Sequence, residues 1–378
     1  MLWENLWKSP RLSAEVVSFS FCSFVASGTA TARRQCAQLP HLMVTVRTDT
    51  KEVCFMPCYH PLPALYTEGE KPRFAKCSFE DLQPWTDGAG RVWRPIQIPC
   101  GQCVGCRIAY SKTWANRCVC ESLSYPEELN WFVTLTYDND HVPVGPKGAL
   151  TLRPADLSAW VKRLRRKLEY LGIQSDGVRF FGCGEYGGQT LRPHFHVLLF
   201  NAPLTTTGVV ARNNRGDCFY NCPEVNETWH DGYVIVGRFN WLTAAYTARY
   251  VLKKQKGFGK VLYEELGIEP EFTRMSRRPG IGLDWFLNHY EDVYEHDNIV
   301  LPSVDGKKMV VKPPHYFDSK YELLEPERFR EIKDKREELA KISKQARLSR
   351  NHMTEEEYLT FQEEKTQETI KKLPRNFV

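Results

Sequence analysis

The run LRPHFHVLLF, residues 191–200, sets two histidines, His194 and His196, in an otherwise apolar stretch. In a strand, His194 and His196 project to one face while Phe195 and Val197 project to the other. The unbroken VLLF that follows marks an inner strand, where polar groups without partners are costly. An arbitrary H-x-H more often reads as a pair of half-exposed surface histidines, but an inner strand argues against that. Two neutral imidazoles about 7 Å apart along one strand can converge on a single divalent cation. Glu185, in GCGEYGG at the end of the preceding strand, is a third ligand that a tight turn returns beside His194. Two imidazoles and one carboxylate leave coordination positions open, which suits Mg²⁺ or Mn²⁺ acting on a phosphate oxygen.

The segments around this run establish the fold class. NWFVTLTY (130–137) alternates Thr134 and Thr136 against Val133 and Leu135, a strand pattern. VRFFGCGEYG and HFHVLLF read as two strands joined by a glycine-rich turn, and GYVIVGRF as another. PADLSAWVKRLRRKLEYLG places Leu157, Trp160, Val161, Leu164 and Leu168 at helical spacing, with Pro154 at its start and Gly172 at its end. RIAYSKTWANRCVCESLSY and WLTAAYTARYVLKKQ are further helices. The order strand, helix, strand, strand, strand, helix predicts an α+β fold, an antiparallel sheet with flanking helices, rather than a doubly wound parallel sheet.

Composition divides the chain into four stretches. Residues 1–55, rich in Ser, Thr and Ala, are expected to be a weakly ordered extension, and 56–125 a cysteine-containing segment running into a helix. Residues 126–318 hold the α+β domain, and 319–378 form a charged helical tail that reads as solvated. A net charge of +5 permits a nucleic-acid partner without requiring one. No apolar run reaches the roughly 18 residues of a membrane span. VVSFSFCSFVASGTATA (16–32) has the outline of a secretory signal, but serines break its apolar part, and the reading kept is cytoplasmic.

Thirteen cysteines are spread unevenly, and Cys100, Cys103 and Cys106 in CGQCVGC stand too close together for an ordinary disulfide framework. Such spacing favours thiols in a reducing compartment, on Zn²⁺ with a fourth ligand from Cys54, Cys58, Cys118 or Cys120. Unliganded thiols are the competing reading, because the second C-x₂-C pair of a zinc ribbon is missing. The iron–sulfur pattern wants a further cysteine three residues on, where Ala109 and Tyr110 stand.

A metal on a phosphate calls for a nucleophile. At 100° per residue, Trp241, Ala244, Ala245, Ala248, Val251 and Leu252 share one side of the helix that begins at Trp241. Tyr246, Arg249, Tyr250 and Lys253 fall on the other side, with Leu242. The apolar face is complete without the tyrosines, so core packing does not account for them. Tyr246 and Tyr250, four apart, are neighbours on one face. A phenol with a pKa of roughly 10 is a poor nucleophile, and Lys253 is placed to stabilise the phenolate. The chemistry suggested is in-line attack by tyrosine on a DNA phosphodiester, giving a 5′-phosphotyrosyl link and a free 3′-hydroxyl. Lys162, Arg163, Arg165 and Arg166 on the 154–172 helix, with Arg249, Arg277 and Arg278, are candidate phosphate contacts. A solvated surface is the plainer reading of such a basic helix face.

FVTLTY, RPHFHVLLF and YTARYVLKK resemble, in order, the three motifs of the HUH (histidine–hydrophobe–histidine) endonucleases. Glu185 matches the metal-binding acid that many members place nine residues before the first motif histidine, and Y-x-x-x-Y resembles the φX174-like microviruses. PCGQCVGCR (99–107), VTLTYDNDH (133–141), CGEYGGQTLRPHFH (183–196) and MSRRPGIG (275–282) are more similar still to the replication initiators of gokushovirus-type microviruses. The resemblance covers roughly 56–320, and since that family begins near MPCYHPL, it implies Met56 as the start. It implies an HUH nuclease core over 126–318 and rolling-circle replication, in which one strand of a circular, supercoiled origin is nicked and later rejoined. Tyr250 with Lys253 matches the one-tyrosine Y-x-x-K pattern and is favoured as first nucleophile. No G-x-x-x-x-G-K-[ST] loop is present, so a host helicase and the host replication machinery are the implied partners, in the cytoplasm of a bacterial host. A relaxase or single-strand transposase shares this chemistry, and a non-catalytic, zinc-bearing nucleic-acid-binding protein would keep H-x-H as structure.

Overall fold

The computed structural model describes residues 58–173, 177–188, 190–213, 216–249, 258–302 and 307–372. The expectations for residues 1–55, for Met56, and for Tyr250 and Lys253 lie outside these residues, as does the side chain of Arg249.

The first part is a small antiparallel sheet of β1 (Leu62–Tyr66), β2 (Arg73–Phe74), β3 (Trp85–Thr86) and β4 (Val92–Ile98), in the order β2-β1-β4-β3. A long helix, α1 (Val104–Ser122), leads into β5 (Trp131–Tyr137), α2 (Pro154–Tyr170), β6 (Arg179–Tyr186) and β7 (Pro193–Phe200). Next come β8 (Gly208–Arg212), β9 (Cys218–Asn221), the short α3 (Pro223–Asn226), β10 (Gly232–Arg238), α4 (Trp241–Arg249) and α5 (Phe258–Leu266). The chain closes with β11 (Phe272–Met275), α6 (Leu283–His296), the hairpin β12 (Ile299–Pro302) and β13 (Lys308–Val311), then α7 (His315–Leu324), α8 (Pro326–Asn351) and α9 (Glu355–Lys372).

The main sheet has the order β11-β6-β7-β5-β10-β9-β8, and its pairings are antiparallel, as the α+β reading expects. Alternation gives this sheet two dissimilar faces. Val133, Leu135, Phe195, Val197 and Leu199 pack under α2, whose buried residues are Leu157, Trp160, Val161, Leu164 and Leu168. These are the five apolar positions that the helical spacing picks out, and full burial of such a side chain stabilises by about 1.5–3 kcal/mol. On the other face Phe132, Phe181, Leu198 and Phe200 meet the alanines of α4, the middle of α1, and α6 and α7. Two helical layers therefore sandwich the strand that carries the histidines.

Two sequence readings change. The glycine-rich stretch before Glu185 is strand rather than turn: β6 runs through Gly182 and Gly184 to Tyr186, and the reversal occupies 187–192. Gly184 is needed for close approach, since a Cβ there would meet the Phe272 ring at 2.5 Å. The charged tail is helical but not simply solvated. Phe317 and Tyr321 of α7 and Phe329 and Ile332 of α8 are buried in the core. Tyr358, Leu359 and Ile370 of α9 are also buried, and α9 packs along α1.

A buried ion pair missed by the sequence reading ties α1 to the start of β6 and to the MSRRPGIG block. Arg179 donates to Glu121 through Nε and to the Pro279 carbonyl at 2.9 Å. Glu121 also accepts from the Gly282 amide at 2.6 Å, and both side chains are more than nine-tenths buried. Removing one member strands the other charge in the interior. Glu121→Ala is expected to cost about 3–5 kcal/mol in urea unfolding. A cost under about 1 kcal/mol, the scale of an exposed pair, would contradict that account.

Candidate active site and cysteine cluster

Register builds the first constellation. His194 is the Cα partner of Glu185 on β6 and of Thr136 on β5, and His196 is the partner of Cys183 and Thr134. Partners directly opposite in a sheet share a face, so Glu185, His194, His196 and Thr134 are collected together where the helical layer of α1 and α4 gives out. Glu185 Oε1 lies 2.6 Å from His194 Nε2 and 3.1 Å from His196 Nε2. Glu185 and His196 are buried and His194 is half-buried.

The outer nitrogens are also engaged. His194 Nδ1 is 3.1 Å from the Arg192 carbonyl, and His196 Nδ1 is 2.9 Å from Thr134 Oγ1. A carbonyl only accepts, so His194 Nδ1 carries the proton and donates to it. A neutral His194 then turns an Nε2 lone pair toward the Glu185 carboxylate, an arrangement that needs a proton or a cation between them. Burial pushes the Glu185 carboxyl up, but the His194 and His196 hydrogen bonds outweigh it and hold it well below the usual carboxylate range. The donor set thus fits a hard or borderline divalent cation, with each imidazole oriented from behind.

Tyr246 completes the group. Its hydroxyl is 3.3 Å from His196 Nε2, and its ring stands edge-on to His196 with centroids 4.8 Å apart. Phe132 stacks on His196 at 5.6 Å and meets Tyr246 edge-on at 6.1 Å. α4 is set at its start by a reciprocal cap. The Thr243 amide donates to Asn240 Oδ1 at 2.8 Å, and the Asn240 amide donates to Thr243 Oγ1 at 2.9 Å. Ala244, Ala245 and Ala248 are fully buried, while Tyr246 on the other side is half-buried. Beside Tyr246 lies a recess of about 210 Å³, lined among others by Phe132, Phe219, Tyr220, Asn240 and Thr243.

Thr134 is a site residue that the sequence reading misses, although its place on the strand alternation opposite the H-x-H run is the signal available. It acts on the site through His196. Thr134→Val, which keeps shape and removes the hydroxyl, is expected to weaken Mn²⁺ binding about tenfold in calorimetry with the fold intact. Unchanged affinity would mean the hydroxyl does not set the ring.

The candidate phosphate contacts separate. Lys162 and Arg166 are exposed on α2, and Arg163 donates to the Thr228 carbonyl at 2.8 Å. This helix covers the sheet face opposite the histidines, so its basic stripe does not lie beside them, which corrects the expected juxtaposition. A helical wheel fixes which side is basic but not which face of the sheet the helix covers. Arg165, by contrast, joins Arg277 and Arg278 around a recess of about 570 Å³ that Arg179 also lines. Arg277 and Arg278 are exposed there.

The second constellation is sulfur. Cys58, Cys100, Cys103 and Cys106 bring their Sγ atoms within 4.8 Å of one another. Cys58 is the fourth member, while Cys118 and Cys120 are buried in the core and Cys54 lies outside the described residues. Burial works against the Cys100 thiolate, but the Cys103 and Gln102 amides and neighbouring thiols bring its pKa down to about 7. Burial pushes the Cys58 and Cys106 thiols up. Four thiolates this close call for a cation, and the group could hold a metal ion.

These features describe an antiparallel α+β protein with two candidate metal centres, one of them beside a tyrosine hydroxyl. The sequence family of replication-associated proteins of the ORF2 type matches residues 130–255, which take in β5 and α4. Replication-associated protein ORF2 of Spiroplasma virus 4 is 32% identical over 323 residues, covering 85% of this chain and 98% of that protein. Replication-associated protein VP4 of Bdellovibrio phage phiMH2K is 28% identical over 252 residues, covering 65% of this chain and 75% of that protein. Replication-associated protein ORF4 of Chlamydia phage 1 is 29% identical over 211 residues, covering 54% and 49% respectively. No solved structure gives a significant match. The chain belongs to the replication-associated proteins of gokushovirus-type microviruses.

Proposed function

We propose that this protein initiates rolling-circle replication by nicking and rejoining single-stranded DNA at a viral origin, with tyrosine as nucleophile. The observation that carries the reading is the convergence of Glu185, His194 and His196 within reach of the Tyr246 hydroxyl. Glu185, His194 and His196 would hold Mg²⁺ or Mn²⁺, which supplies charge stabilisation at a phosphate oxygen. Thr134 and the Arg192 carbonyl keep both imidazoles in the tautomer that turns Nε2 to the site. A tyrosine oxygen attacks phosphorus as the bond to the 3′ oxygen breaks. The phenol proton is lost, the 3′ oxygen leaves as a hydroxyl, and the 5′ end stays on the enzyme. Attack of a later 3′-hydroxyl on the phosphotyrosine reverses these bond changes and closes a circle. Two tyrosines suit the cycle, because one can hold the first 5′ end while the other cuts the regenerated origin. Tyr250 with Lys253 is the favoured first pair.

The recess beside Tyr246, with its aromatic walls, suits an unstacked base next to the scissile phosphate. Arg165, Arg277 and Arg278 supply charge for the backbone of the same DNA at the start of β6. Duplex opening falls to a host helicase in the bacterial cytoplasm. No helix of the described residues is long and apolar enough to cross a membrane. The test is a denaturing gel of the protein with end-labelled, single-stranded origin DNA and Mn²⁺. A slow-migrating adduct that mass spectrometry resolves to a tyrosine-linked 5′ phosphate is expected. DNA binding without any adduct, across several metals, would instead support the non-catalytic reading.

A further inference from the structure

We infer that Cys58, Cys100, Cys103 and Cys106 form a mononuclear tetrathiolate Zn²⁺ site that clasps the small N-terminal sheet onto the helix supporting the tyrosines. The distances favour one ion. Four sulfurs at about 2.3 Å from a tetrahedral zinc lie about 3.8 Å from each other. Here all four fall within 4.8 Å, and Cys103 Sγ is 4.0 Å from Cys58 Sγ. An iron–sulfur cubane, whose cysteines ligate irons at separate corners, spreads its thiolates over a wider cage.

The backbone around the sulfurs is built for negative charge. The Cys100 amide donates to Cys58 Sγ at 3.2 Å, and the Cys103 and Gln102 amides donate to Cys100 Sγ at 3.3 and 3.4 Å. The Tyr59 and Cys106 amides donate to Cys103 Sγ at 3.3 and 3.4 Å. Gly101 makes the reversal between Cys100 and Cys103 at a φ of +71°, where a side chain would be strained. Cys103 also caps α1, so the positive end of a long helix faces the cluster.

A structural need for the ion follows from burial. Among residues 58–99 only Cys58, Ala64 and Trp93 are buried, and neither Ala64 nor Trp93 belongs to the two main cores. A four-stranded unit of about forty residues with so little core ordinarily needs a metal or disulfides. Leu62 and Ile98 are register partners, so the chain entering β1 and the chain leaving β4 arrive together at the cysteines. One ion there closes the open end of the sheet and ties it to α1. Next to the cluster α9 is joined through Tyr59 Oη to Thr366 Oγ1 at 2.7 Å and His60 Nε2 to Glu363 at 2.6 Å. Farther along α1, Ala115, Cys118 and Val119 share a core with Ala244, Ala245 and Ala248 of α4, and Trp241 donates to Asn116 at 3.3 Å. The clasp and the tyrosine helix therefore share one rod.

The experiment uses the full chain purified without chelator. Metal analysis is expected to give about one zinc per chain, and cobalt exchange the intense visible bands of a tetrahedral tetrathiolate centre. Cys58→Ser should weaken zinc binding by more than the roughly 100-fold ceiling of an outer-sphere loss, read by competition with a chromophoric chelator. Cys118→Ser should leave zinc binding unchanged. Stripping the metal should speed amide exchange over 58–103 and α9 while leaving α2 as it was. His194→Ala/His196→Ala should keep the zinc, so the clasp can stand even if the nicking reading fails. Iron with labile sulfide, zinc near zero, or a Cys58→Ser protein that binds zinc like its parent would each overturn the assignment.

Discussion

A Tyr246→Phe/Tyr250→Phe protein should bind origin DNA like its parent and form no covalent adduct with it. Phenylalanine keeps the ring packing of Tyr246 against Phe132 and His196 and removes only the oxygen that would attack phosphorus. Deleting the nucleophile of a well-studied hydrolase costs on the order of 10⁶ in kcat, so the adduct should fall below detection. The single variants carry separate information. With two tyrosines, either one alone can take a first 5′ end, but rejoining of a unit circle needs both. Tyr250→Phe should slow first cleavage the more, if the Y-x-x-K pair acts first. Tyr246→Phe should still cleave and should accumulate the adduct without passing it on. An adduct of parental yield on the double variant would remove tyrosine chemistry from this protein.

The sequence carries this site further than it carries the fold around it. The H-x-H run and Glu185 are legible because strand alternation and an i to i−9 return across a reversal are local geometry, and register then makes Glu185 and His194 partners. The stripe of α2 is legible for the same reason, since five apolar residues at helical spacing can bury only one way. What escapes depends on contacts distant in sequence. Cys58 stands 42 residues before Cys100, and nothing in its spacing selects it over Cys54, Cys118 or Cys120. Glu121 meets Arg179 across 58 residues, and each alone reads as a solvated charge. The glycines of GCGEYG look like a turn because a short sequence does not display Phe272, whose ring needs the space over Gly184. The last helices read as solvated because their apolar residues are sparse; burial on α8 and α9 is confined to a few side chains against the body of the protein.

Replacing both histidines should separate metal binding from DNA binding. In the parent, an added Mn²⁺ at 100 times its dissociation constant stabilises the folded state by about 2.7 kcal/mol, a rise in melting temperature readable by thermal shift. His194→Ala/His196→Ala should show no such rise and no nicking, because Glu185 alone is a weak, monodentate anchor for the ion. Loss of several kcal/mol of charge stabilisation at the phosphate corresponds to a rate lower by several orders of magnitude. Binding of origin DNA should persist, since Arg165, Arg277 and Arg278 lie at the far end of β6 from Glu185. The sign of the pH dependence follows from Glu185. Its carboxyl is held below the ordinary value, near 4.3 in an unfolded chain, by hydrogen bonds from His194 and His196. Those bonds therefore contribute fully above about pH 5 and are lost as pH falls through the carboxylate range. Acid also protonates the imidazoles that the ion needs neutral, so the Mn²⁺-induced stabilisation of the parent should shrink as pH falls from 7 to 5. A double variant that Mn²⁺ stabilised as much as its parent would move the ion to another part of the molecule, and Tyr246 would then have no metal-bound phosphate to attack.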